Sequence, residues 1–149
     1  MSEYFKDPMI LRQIIMDHYQ NPRHHKLVGN GKYNMVHMAS ESCIDDIKVE
    51  ALIEDGVIRD INFDGVACTL STASTSIMTD LLRGKTTDEA KKIIAAYHEM
   101  IAGNGYDVDV LQEAVAFQNT YKQANRIKCA TIGWKAMEEL IEESEKAHE

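Results

Sequence analysis

Apolar positions along the chain fall into two rhythms, and the change between them outlines the fold. Near the N-terminus Ile10, Ile14 and Ile15 share one side of a helical period, which predicts an amphipathic helix over Met9 to Tyr19. Asn21-Pro22 stops it, because the residue before a proline is driven out of the helical region. After a turn-rich, basic stretch, NPRHHKLVGNGK, the period drops to two. A short strand is expected over Tyr33 to Met38. In a second, Ile47, Val49, Ala51 and Ile53 alternate with Lys48, Glu50, Leu52 and Glu54. A third has Val57, Ile61, Phe63 and Gly65 in phase, with Arg59 as the exception, and Glu54-Asp55-Gly56 reads as the hairpin turn between the two.

From Cys68 onward the rhythm is helical. LSTASTSIMTDLLRGK is one helix candidate, its run of small Ser and Thr residues suited to close packing against another helix. TTDEAKKIIAAYHEMIAG carries a cap at Thr86 or Thr87, a stop near Gly103, and Ile93, Ile94, Tyr97, Met100 and Ile101 facing inward. A shorter helix is expected over Val108 to Phe117. The last segment, ATIGWKAMEELIEESEK, places Ile132, Met137, Leu140 and Ile141 on one face with Trp134 and Ala136 near its edges. Strands first and helices after predict an α+β class: a small antiparallel three-stranded sheet with an N-terminal helix and several C-terminal helices packed on one face. No repeat, linker or low-complexity tract divides residues 1–149, so one domain is expected.

Charge narrows the function classes. With 16 Lys and Arg against 24 Asp and Glu, the net charge of -8 argues against a nucleic-acid or anionic-membrane partner and fits a basic protein partner better. The apolar residues of the first twenty positions are interrupted by Asp7, Arg12, Gln13 and Asp17, unlike a signal peptide, and no run of about 18 apolar residues offers a membrane span. A cytoplasmic protein with reduced thiols is the expectation.

The chemistry sits in three cysteines, Cys43, Cys68 and Cys129, each at an inferred boundary between elements. Cys43 and Asp45 share the parity of the buried strand positions, so a thiol and a carboxylate point to one face about 6 to 7 Å apart. Cys68 and Cys129 stand at expected helix N-termini, where unpaired amides and the positive end of the helix dipole favour thiolate over thiol. One metal or sulfur site drawn from distant parts of the chain is the sharper reading. A small buried core residue is the plainer one for any single cysteine, since the spacing matches no zinc signature.

Three segments, HYQNPRHHKL, FDGVACTLSTASTSIMT and RIKCATIGWKAM, resemble in order and spacing the signatures of the iron-sulfur cluster assembly scaffold family of the NifU N-terminal, IscU and SufU type. The 60 residues between Cys68 and Cys129, and Lys128 where the IscU branch places histidine, look like the SufU branch of Gram-positive bacteria. The resemblance implies a SufE/IscU-like fold and a zinc ion held by Cys43, Asp45, Cys68 and Cys129. It also implies acceptance of persulfide sulfur from a SufS-like cysteine desulfurase, in the manner of a sulfurtransferase. Cys129 would then be the reacting thiol, and Arg126 a basic position beside it. Transient iron or an iron-sulfur cluster on the same thiolates, with delivery to downstream apo-acceptor proteins, is the scaffold variant of that reading. A module in which zinc only staples the loops is the alternative. One departure stands out: Ile44 and Ala67 occupy positions where the family commonly has glycine, which implies a stiffer loop beside the first cysteine.

Overall fold

The computed structural model describes residues 4–39 and 44–147. Helix α1 (Pro8–Gln20) opens at Asp7, whose carboxylate accepts the Met9 N–H at 2.9 Å. Pro8 takes the first helical position, where no amide is needed. Leu11, Ile14 and His18 are its buried residues, with Ile10 and Ile15 half-buried beside them.

Strands β1 (Asn34–Ala39), β2 (Asp46–Glu54) and β3 (Val57–Val66) form the antiparallel three-stranded sheet that the alternation predicts, in the order β1-β2-β3. Asp55 (φ 54°) and Gly56 (φ 72°) make the hairpin turn with both central residues at positive φ. Ile47, Val49 and Ala51 are buried as expected. In β3 the expected phase is corrected: Leu52 pairs with Asp60 and Ile53 with Ile58, so Arg59 is an extra residue on its strand. That bulge puts Ile58, rather than Val57, on the buried face with Ile61 and Phe63. Gly65 is exposed, not core. It holds φ 127°, and a Cβ there would fall 2.0 Å from the Asp46 carbonyl oxygen, so this close crossing of β2 and β3 requires glycine.

The second face of the sheet is covered too. Glu50, assigned to the polar side by alternation, is only 2% exposed, because its carboxylate accepts the N–H groups of Val28 (2.8 Å) and Gly29 (3.1 Å) and the Asn62 amide (2.9 Å). The basic, turn-rich segment is thereby strapped across the strands, and the buried charge is matched by three donors.

Four helices follow: α2 (Thr69–Leu82), α3 (Thr87–Ile101), α4 (Val108–Leu111) and α5 (Ile127–Ala147). Thr86 and Glu89 form a reciprocal capping box at the start of α3. The helix expected over Val108 to Phe117 ends at Leu111. Gln112 turns to φ 49°, and short 3-10 turns carry the chain to α5. Helix α2 packs against both α1 and α5, and α5 lies on β1 and β2. Ser71 to Thr79 are all buried, and Gly133 of α5 presses against Thr75 of α2: an added Cβ would meet the Thr75 Oγ1 at 2.3 Å. Small residues thus set the helix separation, as the Ser and Thr run predicts. Trp134 and Ala136 lie fully buried instead of at the edge of α5: Tyr97 of α3 stacks on the indole at 3.8 Å, Ser74 of α2 accepts its N–H, and α5 as an element lies on β1 and β2. Among the described residues no helix is long and apolar enough to cross a membrane.

Candidate metal centre

Three chain crossings meet where β2 begins. Asp45 lies one residue before the strand, on the buried side with Ile47, and is 2% exposed. Its Oδ1 accepts the Cys68 N–H at 2.8 Å and its Oδ2 accepts the Ser71 hydroxyl. Cys68 follows β3 and caps α2: its Sγ accepts the Ser71 N–H at 3.5 Å and lies 3.3 Å from the Ser71 Oγ. A thiol here fills the capping role more often taken by a hydroxyl or carboxylate. Cys129 arrives from the other end of the chain, in the first turn of α5 and not before it. The carbonyl of the next residue, Ala130, accepts hydroxyl hydrogen bonds from Ser74 and Tyr97, both at 2.6 Å, and the Trp134 indole N–H donates to Ser74 at 3.0 Å. This buried cluster pins the turn that carries Cys129 to α2 and α3.

The result is one group: ligand atoms of Asp45, Cys68 and Cys129 all lie within 4.8 Å of one another. A tetrahedral ion with Zn–S bonds of about 2.3 Å sets its donors roughly 3.8 Å apart, so side-chain adjustment of about an ångström closes the set. Two soft thiols and one carboxylate, backed by hydrogen bonds from Ser71 and an amide, fit zinc or a thiolate-loving iron centre and are a poor match for the all-oxygen shells of calcium or magnesium. Both cysteines are free and half-buried. In the metal-free protein burial pushes the Cys129 thiol up to about 12. A hydrogen bond and charge from Cys68 act in the same direction, the Ser71 hydroxyl opposes them, and the Asp45 charge adds a further rise. The thiolate expected from a helix N-terminus is therefore overridden at Cys129, because desolvation and neighbouring anions outweigh the dipole.

Cys43 lies outside the described residues. Arg126 ends the last 3-10 turn, exposed, three residues before Cys129, and Lys128 is exposed beside it. Ile44 is 65% exposed at the rim. His24 lies near Asp80 and Arg83, and His25 stacks on Phe63, so neither histidine enters the cluster. Ser71 is the site residue that the sequence reading passed over as helix packing. Its signal is the spacing Cys68-x-x-Ser71 at a helix start, which returns the third amide to the cap.

The chain matches a model of the NifU-like N-terminal domain over residues 10–147. It is 34% identical over 137 residues to the zinc-dependent sulfurtransferase SufU of Bacillus subtilis, covering 91% of this chain and 92% of that one. It is also 34% identical over 135 residues to the iron-sulfur cluster assembly scaffold protein IscU of Streptococcus pyogenes, covering 90% and 84%. Among solved structures, a candidate SUF-system scaffold from Fervidobacterium islandicum superposes with a TM-score of 0.78 at 28% identity, covering 87% of this chain and 94% of that one.

Proposed function

The chain belongs to the NifU-like N-terminal domain family, and from that premise we propose that it is an iron-sulfur cluster assembly protein that accepts persulfide sulfur from a SufS-like cysteine desulfurase. The observation that carries the reading is the convergence of Asp45, Cys68 and Cys129 within 4.8 Å from three separated parts of the chain. Structural packing alone gives no reason for two thiols and a buried carboxylate to share one point.

Zinc held by Asp45, Cys68 and Cys129, with Cys43 as the fourth donor, would keep the thiols deprotonated at neutral pH. The protein's own groups do the rest. The Ser71 hydroxyl and the Cys68 amide orient the Asp45 carboxylate. The Ala130 anchor holds Cys129 in place, while Arg126 and Lys128 offset the negative charge of the set. The Cys129 thiolate attacks the outer sulfur of a persulfide on the donor. A new S–S bond forms on Cys129 as the donor's S–S bond breaks, and the donor cysteine leaves as thiolate, with no net oxidation. Iron or a nascent cluster on the same thiolates is cargo in this scheme, destined for apo-acceptor proteins.

The test is metal analysis of protein purified without chelator, followed by transfer of labelled sulfur from a cysteine desulfurase. One zinc per chain, lost on substituting Cys43, Asp45, Cys68 or Cys129, and loss of labelling in Cys129→Ser, are expected. Full sulfur labelling of Cys129→Ser overturns the role of that thiol. A zinc-bound protein that takes no sulfur and unfolds on chelation is instead a zinc-stapled interaction module.

A further inference from the structure

A groove of about 560 Å³ runs between α1 and the turns that lead into α5. Leu11, Ile15, Leu70 and Phe117 line its apolar part, and Arg12 and Arg126 stand on its walls. None of its thirteen lining residues is acidic, although Asp and Glu outnumber Lys and Arg by 24 to 16 in the chain. Neither guanidinium has an ion-pair or side-chain hydrogen-bond partner among the described residues. A groove of about 400 Å³ between α3 and α5 is acidic on balance, with Glu99, Glu138 and Glu142 on its rim beside Lys91 and His98. Charge is thus sorted between the two.

We propose that the arginine-walled groove docks an acidic segment of a partner protein, one that sets apolar side chains between carboxylates. Two unpaired guanidiniums are matched to carboxylates by geometry as well as charge. Met16, Phe117 and the two arginines of the lining are of the residue types enriched at protein-binding surfaces. The position suits recruitment to the cysteines: Thr69 and Leu70 directly follow Cys68, and Arg126 precedes Cys129 by three residues. The docking does not depend on what those cysteines carry, so the sulfur-transfer reading and this one fail separately.

The experiment is an NMR titration of the full, isotope-labelled chain with the capped hexapeptide Asp-Leu-Glu-Phe-Asp-Glu and with its counterpart Lys-Leu-Lys-Phe-Lys-Lys. The acidic peptide should give saturable shifts at the amides of Leu70, Ala116 and Phe117, weakened by salt. Arg12→Gln should raise its Kd about tenfold, the worth of one charge-assisted hydrogen bond, and Arg12→Lys should restore part of the loss. Arg12 is exposed, so an unchanged melting curve for Arg12→Gln separates lost binding from lost fold. Equal binding of the lysine peptide, shifts confined to the α3–α5 groove, or no saturable shift at all would overturn the proposal. So would the same shifts from inorganic phosphate alone, which marks a simple anion site. Self-association that Arg12→Glu abolishes would overturn it as well, by making the occupant a second copy.

Discussion

Replacing Gly133 by alanine probes the link between helix packing and the cysteine site. The added methyl would lie 2.3 Å from the Thr75 Oγ1, 2.8 Å from its Cγ2 and 2.9 Å from its Cβ. Ordinary carbon contacts sit at about 3.5 to 4.0 Å, so α2 and α5 must part by roughly an ångström or distort. With three Thr75 heavy atoms inside 3.0 Å the overpacking cost lies in the upper part of its usual range, about 2–3 kcal/mol, and alanine returns about 1 kcal/mol of helix propensity. The net loss is about 1–2 kcal/mol, which lowers the melting temperature of a chain this size by about 2–8 °C. The same separation acts on the site, because Cys68 caps α2 and Cys129 lies one turn before Gly133 on α5. Zinc affinity should fall about tenfold, as when the support of a ligand is disturbed. Thermal unfolding with chelator and a zinc competition titration read the two effects. Thr75→Ala removes the two atoms beyond Cβ, including a buried hydroxyl oxygen with no hydrogen-bond partner among the described residues, and should rescue both in part in the double variant, since the Cβ that stays is 2.9 Å from the added methyl. An unchanged melting temperature in Gly133→Ala, or no rescue by Thr75→Ala, would refute the reasoning.

Two further outcomes follow from the site's hydrogen bonds and charge. Ser71→Ala removes the hydroxyl that donates to the Asp45 Oδ2 and lies beside the Cys68 Sγ, so zinc should be released to a competing chelator at about 10- to 100-fold lower concentration, with the fold intact by circular dichroism. In chelator-treated protein the raised Cys129 thiol titrates toward about 12. Its alkylation rate should still climb between pH 9 and pH 11, where a thiol of pKa about 8.5 has levelled off. A plateau by pH 9.5, followed by mass spectrometry of the Cys129 peptide, would show the thiol to be more acidic than its buried surroundings allow.

What the sequence determined by itself was local, or carried by short signatures. The period of two in Ile47, Val49 and Ala51, the Asp55-Gly56 turn and the caps at Cys68 and Thr86 each act within a few residues, and the strands and most helices appear where those signals place them. The cysteines and Asp45 were legible as one site because the surrounding segments resemble a family. The meeting of Asp45, Cys68 and Cys129 is a property of the tertiary structure: 23 residues separate Asp45 from Cys68 in the hydrogen bond that joins them, and Cys129 comes from a helix far along the chain. No periodicity encodes such a contact. Tertiary structure likewise decided that Arg59 bulges and turns Ile58 inward, that Glu50 is buried under the strap of Val28 and Gly29, and that Ser71 serves Asp45 as well as the packing of α2. Each of these depends on which surface arrives opposite a residue, and burial follows from that neighbour instead of from the residue's own polarity. The rise of the Cys129 thiol has the same origin, since a helix start alone predicts the opposite sign and only the packed neighbours reverse it.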